Sequence, residues 1–197
     1  VPMSRVGVVI VAGGTGSRVG GSELKQLRFV AGKPMLLHSL QAFQSIPEVA
    51  MVVCVLPKQY AGDPPPWIFQ SDPERMLISV GGKTRAESVS NGLEDLPAEC
   101  TTVLIHDAAR PLVTPEVVER ALTVAARRGA ALVAVPVRDT IKTSSGGDTA
   151  EGTIDRSVLW AAQTPQVFRT ALLRELFERA ASDEFRPTDE SALHERY

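Results

Sequence analysis

Val6-Gly7-Val8-Val9-Ile10-Val11-Ala12-Gly13-Gly14-Thr15-Gly16-Ser17-Arg18 is the stretch that decides the fold. A run of β-branched residues without a polar break leads directly into a glycine-rich loop. A strand that is apolar on both faces belongs inside a parallel sheet covered by helices on each side. The loop then falls at the carboxyl end of the strand, where open α/β sheets bind their ligands. Glycines at 13, 14 and 16 let the backbone approach a ligand and turn N–H groups toward it. Arg18 and, further on, Lys25 add two cations. Backbone donors and positive charge after a strand suit a polyphosphate. A plain glycine turn with solvated Arg and Lys is the other reading of these residues.

Outward from this stretch the pattern repeats. Residues 49–56, 76–80, 102–106 and 131–137 also read as short strands rich in Val and Ile. Helical spacing appears between and after them. Residues 34–45 carry Leu36, Leu37, Leu40 and Phe43 on one face. Residues 84–94 open with Thr84-Arg85-Ala86-Glu87, a capping box. Residues 114–128 open with Thr114 as N-cap and Pro115 at the first helical position. Residues 169–181 carry Leu172, Leu173, Leu176 and Phe177. Strand–helix alternation predicts an α/β fold with one domain over residues 1–197: a Rossmann-like, mostly parallel sheet sandwiched by helices. Residues 138–156 break the alternation. Two β-capable stretches, 138–143 and 149–156, flank Ser144-Ser145-Gly146-Gly147-Asp148. They read as a hairpin arm, which serves either as a lid or as a dimer contact.

Composition removes several classes of function. Hydrophobic residues make up 44% of the 197 and charged residues 22%, the balance of a globular chain and not of a disordered one. The net charge is −2 and no long basic run occurs, which argues against nucleic-acid binding by bulk charge. No apolar stretch approaches the ~18 residues of a membrane span. The first apolar run continues into the glycine loop, unlike a signal peptide. Cys54 and Cys100 lack metal-ligand spacing and are too few for a disulfide framework, so they read as reduced thiols of a cytoplasmic protein.

Two familiar nucleotide motifs fail. Gly14-Thr15-Gly16 is followed by Ser17, Arg18 and Val19, with no glycine to close a dinucleotide fingerprint. Gly82-Lys83-Thr84 resembles the end of a P-loop, but the earlier glycine that motif needs is Leu77. Gly81-Gly82 can still admit a flat base, with Arg85 and Ser88 at the helix start. His106-Asp107-Ala108-Ala109-Arg110-Pro111 closes the fourth strand. An Asp at a strand end beside a phosphate site is a natural Mg²⁺ ligand; it can equally cap its own loop. His106 reads as a strand-end histidine held by its neighbours. No nucleophile–base arrangement stands out, which fits a reaction in which a substrate phosphate is the nucleophile.

Taken in order, the glycine loop with Arg18 and Lys25, Gly81-Gly82-x-x-Arg85-x-x-Ser88 and His106-Asp107-Ala108-Ala109-Arg110-Pro111 resemble the polyol-phosphate cytidylyltransferases. Val137-Arg138-Asp139-Thr140-Ile141-Lys142, Asp155-Arg156, Thr164-Pro165-Gln166 and Thr188-Asp189-Glu190-Ser191 are similar to those acting on 2-C-methyl-D-erythritol 4-phosphate. The resemblance implies a nucleotidyltransferase-type fold with a protruding arm. It implies CTP and a polyol phosphate as substrates, Mg²⁺ as cofactor, and a homodimer formed through the arm, with no nucleic acid or membrane as partner. Arg18 and Lys25 would hold the CTP phosphates and stabilise the charge that builds on the α-phosphate, making them, with Arg156, the catalytic residues. Ala12, Gly13, Gly14 and Gly16, with Gly82, Arg85 and Ser88, would cradle the nucleotide. Asp107 would hold the metal. Thr140 and Arg156 would reach the polyol phosphate across the dimer, with Arg110 and Thr188 completing the pocket.

Three features depart from the pattern. Ala12-Gly13-Gly14 replaces the family's usual Ala-Ala-Gly and resembles the ribitol 5-phosphate enzymes, which keeps that substrate open as an alternative. Lys83 stands where an acidic residue is usual beside the base. The family continues past the position of Tyr197 with a strand and helix carrying an Asn-x-Lys-like segment, whose lysine helps position the substrate phosphate; the sequence as given lacks that segment and reads as either a fragment or an incomplete site. A nucleotide-binding module without turnover is the non-enzymatic alternative.

Overall fold

The computed structural model describes residues 5–13 and 24–197. The chain runs as β1 (Arg5–Val11), the two-residue strands β2 (Phe29–Val30) and β3 (Lys33–Pro34), α1 (Met35–Gln44), β4 (Val49–Leu56), α2 (Lys58–Ala61), β5 (Met76–Val80), α3 (Arg85–Glu94), β6 (Cys100–Asp107), α4 (Pro115–Arg128), β7 (Ala130–Pro136), β8 (Ile141–Thr143), β9 (Gly152–Ile154), β10 (Trp160–Arg169), α5 (Thr170–Ser182) and α6 (Glu190–Arg196). Six strands form one sheet in the order β5-β4-β1-β6-β10-β7. β1 lies between two parallel neighbours, with Val8 opposite Val52 on β4 and Leu104 on β6. β5 extends the parallel part beyond β4.

The period of two along β1 feeds two cores. Val6, Val8 and Ile10 face a layer containing Leu36, Leu40 and Phe43 of α1 and Val118, Ala121 and Ala125 of α4. Val9 faces Val89 and Leu93 of α3, Leu173 and Leu176 of α5, and Leu193 of α6. Each large side chain taken wholly out of water contributes about 1.5–3 kcal/mol, so the central strands are the thermodynamic centre of the domain. At its carboxyl end α4 stops on Gly129, whose φ of 91° is left-handed and whose N–H donates to the Ala125 carbonyl at 2.7 Å.

The sequence expected five strands and the structure has six in the sheet. Trp160–Arg169 went unread because Gln163, Thr164 and Pro165 interrupt its apolar pattern, and a proline inside a run argues against a central strand. β10 meets that constraint by breaking its ladder there. It pairs antiparallel with β7 up to Ala162, and pairing resumes at Gln166, which faces both Leu132 and Ile105. The unpaired stretch frees the side chains of Gln163 and Thr164 for other work. α6 is too short to show a helical period.

The arm is present, but its strands are shorter than the expected 138–143 and 149–156. Only Ile141–Thr143 and Gly152–Ile154 pair, with Lys142 opposite Thr153. The remainder forms turns: the Asp155 carboxylate accepts from the Ser157 N–H at 2.9 Å and caps a short 3-10 turn, Arg156–Val158. The arm has no apolar face against the body to extend the pairing, and most of its residues are exposed.

Packing of α3 on the sheet depends on Gly92. A Cβ there would lie 2.6 Å from Val9 Cγ1 and 2.7 Å from Val55 Cγ2, inside contact distance. Alanine is the better helix former by about 1 kcal/mol, so an open site would gain stability from the change. Overpacking costs about 1–3 kcal/mol and is the larger effect here. Gly92→Ala is therefore expected to lower the urea midpoint with an unchanged m-value. A raised midpoint would show that the two valines yield without cost.

Candidate active site

The carboxyl ends of β1, β4, β5 and β6 meet at one edge of the sheet. The Ala12 N–H donates to the Val55 carbonyl at 2.9 Å, and the Gly81 N–H donates to the Leu56 carbonyl at 2.7 Å. These bonds draw the chain leaving β1 and the chain leaving β5 together. A Cβ on Gly13 would lie 3.2 Å from Ser88 Oγ and 3.7 Å from the Gly81 Cα. The chain at Gly13 thus closes on the Ser88 hydroxyl and the Gly81 backbone. Gly82 is bound more tightly, since a Cβ there would fall 2.3 Å from Glu87 Cβ. Ser88 Oγ accepts from the Gly82 N–H at 3.1 Å and donates to the Thr84 carbonyl at 2.9 Å, which locks this turn onto α3. The expected capping box is half formed. Thr84 Oγ1 accepts from the Glu87 N–H, whereas Glu87 reaches one residue further back and accepts from the Lys83 N–H at 2.7 Å.

Lys25 opens a short 3-10 turn, Lys25–Leu27, and is half-buried. Its neighbour Gln26 is buried and donates its side-chain amide to the Ala12 carbonyl, tying the turn that carries Lys25 to the first loop. Gly14, Gly16 and Arg18 lie outside the described residues.

Asp107, the last residue of β6, is gripped from two sides. Arg85 Nε donates to Oδ1 at 3.1 Å, and Arg110 Nε donates to Oδ2 at 3.4 Å. Arg85 also spans both oxygens of Glu190 with Nη1, at 2.7 and 3.0 Å. Arg110 Nη1 donates to the Gln163 side-chain carbonyl. Two cations and two anions therefore alternate along one chain of contacts. Glu190 is 1% exposed, whereas Arg85 and Asp107 each keep 31% of the side chain open. Burial works against the charge of Arg85, but Glu190 and Asp107 outweigh it and raise its pKa. Burial is also the chief influence that pushes Glu190 up, with Asp107 adding to it against the pull of Arg85. An arginine that stays protonated in hydrogen-bond contact keeps Glu190 an anion at neutral pH.

The loop after β6 is held from beneath. His106 is fully buried, its Nε2 is 3.1 Å from the Arg110 carbonyl, and its Nδ1 is 3.0 Å from Thr164 Oγ1. The Arg110 carbonyl can only accept, so Nε2 carries the proton and Nδ1 accepts from the Thr164 hydroxyl, whose oxygen also accepts from the Asp107 N–H at 3.2 Å. That assigns the Nε2–H tautomer, with His106 donating to Arg110. Ser39 of α1 adds a bond to the Ala108 carbonyl at 3.2 Å. His106 is a strut, as its position at the strand end suggested, and burial takes its pKa down to about 4. On the far side Gln166 donates to Asp189 at 2.9 Å and accepts from the Ser191 N–H at 2.9 Å, which docks the start of α6. Thr188 is exposed immediately before it.

The structure thus brings Ala12, Gly13, Gly82, Arg85, Ser88, Asp107 and Arg110 to one edge. Thr140 and Arg156 are exposed on the arm, and the Arg156 guanidinium donates to the Arg138 carbonyl. Among the described residues, no contact joins either of them to Asp107. Sequence reading assigned no role to Gln26, Gln163 and Glu190; Gln26 and Gln163 were marked only by adjacency to Lys25 and Thr164, and Glu190 only by its place in the Thr188-Asp189-Glu190-Ser191 motif.

Comparison with known proteins identifies relatives of the whole described fold. The family model described as IspD, 2-C-methyl-D-erythritol 4-phosphate cytidylyltransferase, matches residues 6–197. The protein of that name from Alkaliphilus metalliredigens (strain QYMF) is 40% identical over 195 residues, covering 98% of this chain and 80% of its own length. The structure titled 4-diphosphocytidyl-2C-methyl-D-erythritol synthase from Anaerococcus prevotii DSM 20548 superposes with a TM-score of 0.83 at 25% identity, over 96% of this chain and 81% of the other. The 2-C-methyl-D-erythritol 4-phosphate cytidylyltransferase of Thermus thermophilus gives 0.78 at 33% identity, over 96% and 82%.

The His106 strut has a pH signature. Unfolded, the imidazole takes up a proton near 6.5; folded, it does so only near 4. Between those values the unfolded chain binds more protons, so stability is full above pH 6.5 and falls as pH drops toward 4. The difference amounts to about 3 kcal/mol. Denaturation of the wild type and of His106→Gln across pH 4–7 should show this slope in the wild type alone. Parallel slopes would mean that the histidine takes up its proton at the same pH folded and unfolded.

Proposed function

The chain belongs to the 2-C-methyl-D-erythritol 4-phosphate cytidylyltransferase family, and on that premise we infer that it transfers CMP from CTP to 2-C-methyl-D-erythritol 4-phosphate, a step of isoprenoid biosynthesis. A phosphate oxygen of the polyol phosphate attacks the α-phosphorus of CTP in line. The bond from that phosphorus to the β-phosphate bridging oxygen breaks, pyrophosphate leaves, and CDP-methylerythritol forms. The observation that carries this reading is the carboxylate of Asp107, held between Arg85 and Arg110 at the edge where Gly13 closes on Gly81 and Ser88.

No enzyme nucleophile is needed, so catalysis rests on positioning and on charge. Lys25 and Arg18 are the cations set against the CTP phosphates. Ala12, Gly13, Gly14 and Gly16 are assigned to the nucleotide; the Ala12 N–H is already given to the Val55 carbonyl, so Ala12 lines the site without donating to a phosphate, and Gly82 with Ser88 shapes the space for base and ribose. Arg110 and Thr188 flank the polyol phosphate. Asp107 is the residue that would hold Mg²⁺. Among the described residues no three His, Cys, Asp or Glu gather into a protein cage. A single part-exposed carboxylate fits an ion that takes its other ligands from water and substrate phosphates. When bound, the ion neutralises charge on the leaving pyrophosphate.

Thr140 and Arg156 complete the site of a second copy of the chain. Both are exposed on the arm, and apolar surface around the arm's base supports this reading: Val135, Ile154, Val158 and Trp160 are all exposed. We place the enzyme in the cytoplasm, where its two buried thiols stay reduced. Among the described residues, no helix is long and apolar enough to cross a membrane.

Pyrophosphate release with CTP and Mg²⁺ is expected with methylerythritol phosphate and not with ribitol 5-phosphate; the reverse preference would refute the substrate. Lys25→Ala should lower kcat about 100- to 1,000-fold, the scale of one lost transition-state contact. A change confined to KM would mean that Lys25 binds ground and transition states alike. Arg156→Ala should lose activity through weakened use of the polyol phosphate. Mixing it with Lys25→Ala should restore turnover that neither variant shows alone, because hybrid dimers contain one intact site. No restoration would place Arg156 in the site of its own chain.

A further inference from the structure

We propose that Glu190 is a positioning residue: by holding Arg85 it limits how far that guanidinium neutralises Asp107, and so keeps the Asp107 carboxylate available to a divalent cation. The proposal rests on the reading of Asp107 as the metal-holding residue.

Arg85 has two carboxylate partners and divides its donors unequally between them. The closer contact, at 2.7 and 3.0 Å from one nitrogen, goes to both oxygens of Glu190; Asp107 receives a single bond at 3.1 Å. Glu190 is buried, so little water screens its hold, whereas Asp107 is part-exposed. Asp107 already has Arg110 on its other oxygen. With Glu190 charged, the four groups sum to zero. Without that charge they sum to +1, and Asp107 becomes the single carboxylate paired with Arg85 among the described residues.

A site shifted by one positive charge responds to its two ligands in opposite directions. It repels a divalent cation more and attracts a polyphosphate more. A residue that served packing alone would weaken both. α6 has fastenings that do not involve Glu190, namely the bonds of Gln166 to Asp189 and Ser191 and the buried Leu193. Glu190→Gln therefore leaves the helix docked. Its amide oxygen still accepts from Arg85, so the substitution removes charge and keeps shape.

The experiment follows two ligands on the full chain. Mn²⁺ binding in the presence of CTP is read by electron paramagnetic resonance, and CTP binding in EDTA by calorimetry. Glu190→Gln should weaken Mn²⁺ about 10-fold or more, the usual scale for residues behind a metal ligand. CTP without metal should bind as well as to the wild type, or better. Glu190→Asp, which keeps the charge, should restore most of the Mn²⁺ affinity. If Glu190→Gln does not fold, Glu190→Ala, which also removes the charge, is read on the same two ligands with the same expected outcomes. Parallel loss of both ligands, or no change in Mn²⁺, overturns the proposal. Asp107→Asn separates the two levels. If it leaves Mn²⁺ binding intact, the metal reading of Asp107 falls and takes this proposal with it. If it abolishes binding while Glu190→Gln does not alter it, only the role of Glu190 is refuted.

Discussion

β1 is shut away from water on both faces, and the rest of the architecture answers to that. Val8, Val9 and Ile10 are fully buried between β4 and β6. A strand in that position needs a partner on each edge and a helical layer on each face. Parallel pairing requires every connection to cross over the sheet, which gathers the loops leaving the carboxyl ends at one edge. The site stands there because that edge is the place where several chains emerge from a rigid frame without being paired.

A rigid frame also has to bring polar groups inside, and this one does so in matched sets. His106, Thr164 and Gln166 are buried next to the site, and each makes hydrogen bonds to named partners. Left unpaired, each would cost about 1–3 kcal/mol. Paired, they bind β6, β10 and α6 into one unit. The break in β10 belongs to the same logic. By giving up ladder bonds near Pro165, the strand turns Gln163 toward Arg110 and Thr164 toward Asp107 and His106. An irregularity that weakens the sheet locally supplies the bonds that orient the carboxylate.

The arm follows different physics. Few of its residues are buried, its paired strands are short, and the surface near its base carries Trp160 and Val158 in the open. β7 is also an edge strand, with backbone groups free to pair and Leu132 and Val135 exposed beside it. Such a surface is stable in water at a cost, and a second copy of the chain would remove that cost. The proposed division of the site between two chains thus agrees with where apolar surface remains uncovered.

Local signals were sufficient for much of this. The runs at 49–56 and 76–80 coincide with β4 and β5, because uninterrupted β-branched residues have few other uses. Thr84 and Pro115 marked helix starts, since capping is decided within one turn of chain. Glycine spacing and the strand-end Asp107 made phosphate binding one of two open readings, because it requires backbone approach and charge at short range, and the ordered motifs that resemble a known family chose between them. The tertiary structure alone decided what depends on distant partners. β10 is a strand because β6 and β7 flank it, despite a proline and polar residues that locally argue against one. Glu190 is a buried anion because Arg85, far away in sequence, reaches it through the fold. Nothing in the order Thr188-Asp189-Glu190-Ser191 tells which carboxylate faces inward, since that is settled by the docking of α6 against Gln166 and not by any property of the segment itself.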